Sequence, residues 1–131
     1  MGTQQFNESY PVFAGLSLDS TYVANTQTAI GVQANYPSRW DTLQAANDDT
    51  ITHTVTVYLF DNPTYFPLGE VDVPAGAGNG TTPTVDLIQP FLPTTMHGFA
   101  VPTYYQLAVS VGEAITAGKH IYFSATGGQL S

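Results

Sequence analysis

The chain has 131 residues, 43% of them hydrophobic, enough for one domain with a core of its own. Only 9% are charged, against about 25% in an ordinary soluble domain, and ten acids face two bases, Arg39 and Lys119, for a net charge of -8. Neutralising phosphates takes lysine and arginine, so the composition excludes DNA, RNA and anionic membrane surfaces as direct partners.

Residues 1–15 are polar, with scattered Phe6, Tyr10, Val12 and Phe13, and with Pro11 and Gly15 against any helix. They are expected to form a partly extended N-terminal arm ahead of a single domain over 16–131. Val12 to Leu18 reads equally as a first strand, because Leu16 and Leu18 alternate with Ser17 and Asp19. The start M-G-T-Q-Q-F has neither a basic nor an apolar leader region, and no run approaches 18 apolar residues, so neither a secretion signal nor a membrane span is expected.

Two short strands are expected over 20–25 and 28–35. From Tyr36 to Asp49, Trp40, Leu43 and Ala46 fall at i, i+3 and i+6, which suggests a loop with one or two helical turns. The strongest signal follows. In I-T-H-T-V-T-V-Y-L-F, from Ile51 to Phe60, the odd positions are Ile, His, Val, Val and Leu, and the β-branched content suits a pleated strand. Asp61-Asn62-Pro63-Thr64 is a turn, and Tyr65 to Val73 returns as the second strand of a hairpin. Pro67 and Gly69 place that second strand at a sheet edge or give it a bulge.

Pro74 to Gly80 reads as a flexible glycine-rich loop. Val85 to Phe91, cut by Pro90, is a strand or a single helical turn. Tyr104 to Val111 alternates with Tyr105, Leu107, Val109 and Val111 on one side, and Lys119 to Ala125 is the last strand, with Ile121 and Phe123 inward. Thr126 to Ser131 reads as a tail. Seven or eight short strands, closely spaced turns and no long amphipathic helix define an all-β chain, an antiparallel β-sandwich or jelly roll.

No catalytic signature emerges. His53, His97 and His120 are the three histidines, but no G-x-S-x-G elbow accompanies them. His53 lies on the apolar face of its strand and reads as a hydrogen-bonded core histidine. Asp48-Asp49, Asp61-Asn62, Asp72 and Asp86 carry oxygen ligands that suit calcium, yet no EF-hand pattern appears, and aspartate and asparagine are ordinary turn formers. The absence of cysteine removes thiolate chemistry and sulfur-bound metal and favours a reducing cytoplasm. No cofactor and no metal are expected.

Binding is a better prospect. With 18 threonines, eight tyrosines and seven phenylalanines, the uncharged surface suits contact with protein or sugar, although the same residues are good strand formers. Trp40, Tyr58, Tyr65, Tyr104 and Tyr122, with Phe66, are the candidates for an aromatic platform against sugar rings; the plainer reading packs them into the sandwich or a subunit interface.

Three phrases carry a resemblance: V-T-V-Y-L-F-D from Val55, P-L-G-E-V-D-V-P-A-G-A-G from Pro67, and Y-Q-L-A-V-S-V-G-E-A-I-T-A-G-K-H-I-Y-F-S-A-T-G-G from Tyr105. They span roughly residues 54–128, and this part of the chain resembles small virion structural proteins of tailed bacteriophages. The resemblance implies a non-enzymatic capsid decoration (cement) protein that binds the major capsid protein and its own copies as a homotrimer on the capsid surface, made in the host cytoplasm. It also implies that the N-terminal arm, through Phe6, Tyr10, Pro11 and Phe13, grips the shell. A tail-fibre or spike position for host adhesion, or a carbohydrate-binding module, is the alternative.

Overall fold

The structure is a computed structural model that describes residues 8–31, 37–91, 99–102 and 104–130, with the side chains of 8–12, 99, 129 and 130 outside the description. Nine strands are present among these residues: β1 (Glu8–Leu18), β2 (Thr28–Ala29), β3 (Ser38–Asn47), β4 (His53–Phe60), β5 (Tyr65–Val73), β6 (Val85–Asp86), β7 (Phe99–Val101), β8 (Gln106–Val111) and β9 (Ile121–Leu130). They pair antiparallel in two sheets. The first runs β1-β9-β3, with β6 and β7 both beyond β3; the second runs β2-β8-β4-β5. That order, with every consecutive pair of strands except β4–β5 and β6–β7 passing from one sheet to the other, is jelly-roll-like: an all-β sandwich.

The alternation that marks the hairpin is the alternation that builds the core. His53, Val55 and Val57 are buried while Thr54, Thr56 and Tyr58 are only partly so. On the facing sheet Leu43, Ala45, Ile121, Phe123 and Ala125 point inward, and the two sets meet between the sheets. β5 is an edge strand, and the register steps from Val57↔Gly69 to Tyr58↔Pro67, which leaves Leu68 as the bulge. Gly69 is required there, because a Cβ on it would drive into the Phe91 ring.

Several sequence expectations are corrected. Of residues 37–49, 38–47 are the long strand β3, and none is helix. A register shift between Trp40 and Thr42 leaves Asp41 as an extra residue, and this bulge breaks the alternation and puts Trp40 and Leu43 on the inner side three residues apart, while Ala46 faces outward. The expected tail is strand as far as Leu130: β9 lies between β1 and β3, and Gly127 allows β3 to approach so closely that any Cβ would collide with the Arg39 carbonyl. Of the segment expected as an arm, residues 8–15 are paired in β1 with β9, and residues 1–7 lie outside the described residues.

Residues 20–25 are turns, and of 28–35 only Thr28–Ala29 is described as strand, with 32–36 outside the description. Val85 to Phe91 is both alternatives in succession, β6 and then a 3-10 turn at Gln89–Phe91. The glycine-rich loop is docked rather than loose. Ala77 is fully buried, its N–H donates to Pro74 O (3.1 Å), and its carbonyl accepts from Asn47 N–H (2.8 Å). Among the described residues no helix is long and apolar enough to cross a membrane.

Candidate functional site

Among the described residues, two places stand out for polar chemistry or open surface. The first is a buried cluster at one end of the sandwich, where the β3–β4 connection meets the loop after β8. His53 projects inward from β4 because its position shares the phase of Val55 and Val57, and its side chain is 0% exposed. A polar ring there needs partners. Nε2 lies 2.9 Å from Asp49 Oδ2, and Nδ1 lies 3.2 Å from Glu113 Oε1. Both contacts are hydrogen bonds together only when both ring nitrogens carry hydrogen, as in the imidazolium.

Asp49 is equally enclosed. Its Oδ2 also accepts the Thr116 N–H (2.9 Å) and its Oδ1 the Thr50 N–H (2.6 Å). Burial pushes its carboxyl up, but the hydrogen bonds from Thr116, His53 and Thr50 outweigh that and hold it well below the ordinary carboxylate range. Glu113 is 37% exposed and its Oε1 also accepts the Thr54 N–H at 2.8 Å. Asn47, fully buried, completes the knot: its Nδ2 donates to the carbonyls of Ile51 (2.9 Å), Val73 (3.2 Å) and Pro74 (3.3 Å), and its Oδ1 accepts the Asp49 N–H (2.9 Å). Neither ring nitrogen of His53 is open to a substrate. The cluster braces the connections between strands; it is not arranged for proton transfer. Among the described residues no group of three or more His, Asp or Glu is arranged to hold a metal ion.

The second place is the outer face of the first sheet. Register aligns Phe13, Gly15 and Ser17 of β1 with Thr126, Ser124 and Tyr122 of β9. These align in turn with Thr42, Gln44 and Ala46 of β3. All nine positions are uncharged. Over β3 the face is partly covered, since Gly78 packs on Ala46 and Thr84 donates to Gln44 Oε1 (2.5 Å). Toward β1 it is open, with Phe13 70% and Tyr122 45% exposed. Charge enters on the β3 side, where Asp86 of β6 aligns with Gln44 and Arg39 pairs with Asp41 at 2.8 Å, and at the end of the sheet, where the Asp48 carboxylate accepts the backbone N–H of His120, whose ring stacks on Tyr122 with centroids 5.5 Å apart.

The candidate residues fall as follows. Tyr58 and Tyr65 come together on the outer face of the second sheet, edge to face at 5.8 Å, joined by Phe60, which stacks on Tyr65 at 4.2 Å and which the sequence reading did not single out. The Tyr58 hydroxyl is bonded to Ser110 Oγ at 2.9 Å. Tyr122 lies on the other sheet, Trp40 packs against the core, and Tyr104 is exposed between β7 and β8 with φ 69°. The five therefore do not form one platform. Of the partner-contact candidates, Phe13 lies on the open face, Tyr10 and Pro11 are described only as backbone paired with Gln129 and Gly128, and Phe6 lies outside the described residues. His97 also lies outside them.

Fold and site together define a jelly-roll-like protein with a closed polar brace inside and an uncharged, partly aromatic face outside. No protein-family model, curated protein or solved structure matches the chain.

Proposed function

We propose that this chain is a non-enzymatic structural protein of a phage virion, a capsid decoration protein that binds the major capsid protein and copies of itself on the capsid surface. One observation carries the proposal: in an acidic molecule, the part of one sheet face made by Phe13 to Ser17 of β1 and Tyr122 to Thr126 of β9 is free of charge and open. Interface cores are depleted of charge and enriched in aromatic rings, and this face has both properties. The resemblance of residues 54–128 to small virion proteins supports the same reading. So does the jelly-roll-like sandwich itself, since capsid and lectin domains share the jelly roll, although a fold alone is only an analogy.

The experiment is co-sedimentation with capsids of the encoding phage, assembled from the major capsid protein. Saturable binding is expected, with a raised melting temperature of the capsid and loss of both on Phe13→Asp. Capsids that neither retain the protein nor gain heat resistance overturn the proposal. The Tyr58, Phe60 and Tyr65 cluster favours a second reading, a carbohydrate-binding module or a tail-fibre component for host adhesion. Glycan-array binding competed by free sugar and lost on Tyr65→Ala supports that reading instead.

A further inference from the structure

A two-sheet sandwich has four lateral edges, each a row of backbone N–H and C=O groups that pairs with other chains unless something blocks it. Three are blocked here. β5 carries Pro67, the bulge at Leu68, and exposed Glu70 and Asp72. The outer side of β8 is closed by β2, by Asn25 N–H on Val111 O (2.7 Å) and by Ile30 N–H on Leu107 O (2.8 Å). The edge beyond β3 consists of β6 and β7, only two and three residues long. The fourth edge, β1, is eleven residues long, and among the described residues it pairs with β9 alone. From Val12 to Leu18 it contains no proline, no bulge and no ionisable residue.

We propose that β1 pairs edge to edge with β1 of a second copy, antiparallel about a two-fold axis at Gly15, so that the first sheet runs unbroken through a dimer. Charge and symmetry select this occupant. Copies with a net charge of -8 repel each other over most of their surface, whereas V-F-A-G-L-S-L presents no carboxylate to its twin. With Gly15 on the axis, Phe13 stands opposite Ser17 of the second copy, and Asp19 stands opposite Pro11 of the second copy, so no two acids meet. Gly15 places no side chain between the backbones; the space above it is taken by the Phe13 ring, 3.3 Å from where a Cβ would sit. The contact is isologous and closes after two chains, so it satisfies the edge without open-ended growth. The uncharged rows of β1 and β9 then join into one face twice as wide. This inference concerns self-association alone, and loss of capsid binding leaves it untouched.

The test is the solution mass of the full chain by light scattering and sedimentation. A dimer is expected. A monomer at all concentrations overturns the proposal, and so does the homotrimer that the resemblance implies, which needs a different, heterologous contact. Phe13→Lys with Ser17→Lys sets like charges directly across the two-fold at two exposed positions and is expected to weaken the dimer about tenfold or more with melting little changed. Phe66→Lys, on the guarded β5, is expected to remain a dimer; a dimer that survives the β1 pair of changes overturns the proposal. The chain has no cysteine, so Gly15→Cys, combined with Phe13→Ser to clear the ring 3.3 Å from the new Cβ, supplies the only thiol. Facing residues of an antiparallel pair have Cα atoms about 4.5–5.5 Å apart, within disulfide range, and a covalent dimer is expected on mild oxidation. Its absence overturns the two-fold at Gly15.

Discussion

Replacing Asp49 by asparagine tests the buried brace with almost no change of shape. Asp49 Oδ2 accepts from His53 and from the Thr116 N–H, and Oδ1 accepts from the Thr50 N–H. An amide removes the charge from all three bonds and turns an N–H₂ group toward a backbone donor. Hydrogen bonds to a charged group contribute about 1.5–3 kcal/mol each, and the Asp49 carboxylate accepts three of them. The side chain is 0% exposed, so solvent screening offers little relief. A loss of about 3–5 kcal/mol is expected for Asp49→Asn, read from denaturant unfolding with an unchanged slope.

The pH dependence adds a second, independent readout. The folded-state pKa of Asp49 lies below its ordinary value near 3.8, so its contribution is complete above that value and is lost as the pH falls through the folded-state pKa. The parent should therefore lose stability below about pH 4, and Asp49→Asn should lose less over the same interval. A cost under about 1 kcal/mol, or an acid limb as steep in the variant as in the parent, would refute the reasoning.

Other outcomes follow from single contacts. Gly127→Ala drives a Cβ into the Arg39 carbonyl and should cost about 3 kcal/mol by forcing β3 from β9, checked by thermal unfolding and by faster amide exchange along β9. Phe123→Ala empties the largest wholly buried side-chain site and should cost about 3–5 kcal/mol in denaturant unfolding. Tyr58→Phe removes the hydroxyl bonded to Ser110 and should cost about 1 kcal/mol in the same assay.

The hairpin was legible because nothing interrupts its alternation over 51–60, and because Pro67 and Gly69 announce the bulge and edge found in β5. β3 was not legible as a strand. One extra residue at Asp41 shifts the phase, and a helical spacing then competes with the true period. Thr126-Gly127-Gly128 looked like a tail because glycine usually weakens a strand; the signal runs the other way where a neighbouring backbone must come close.

The aromatic set failed as a platform because position along the chain does not say which sheet a strand joins. Tyr58 and Tyr122 point outward from opposite sides of the sandwich. The brace was half legible. An inward His53 demands a partner, but its spacing names none: Asp49 comes four residues earlier from the connection before β4 and Glu113 sixty residues later through the loop after β8.

His53 also determines how β4 can be threaded. Apolar alternation forbids a slide by one residue, yet it tolerates a slide by two, since Ile51 and Val55 occupy the same phase. A slide by two would bring an aliphatic side chain against Asp49 and strand its enclosed negative charge against hydrocarbon. The mis-threaded sandwich would keep its greasy interior and still be costly. In a chain with so few ionisable groups, one imidazole thus acts as the key that tells the correct alignment from its nearest look-alike.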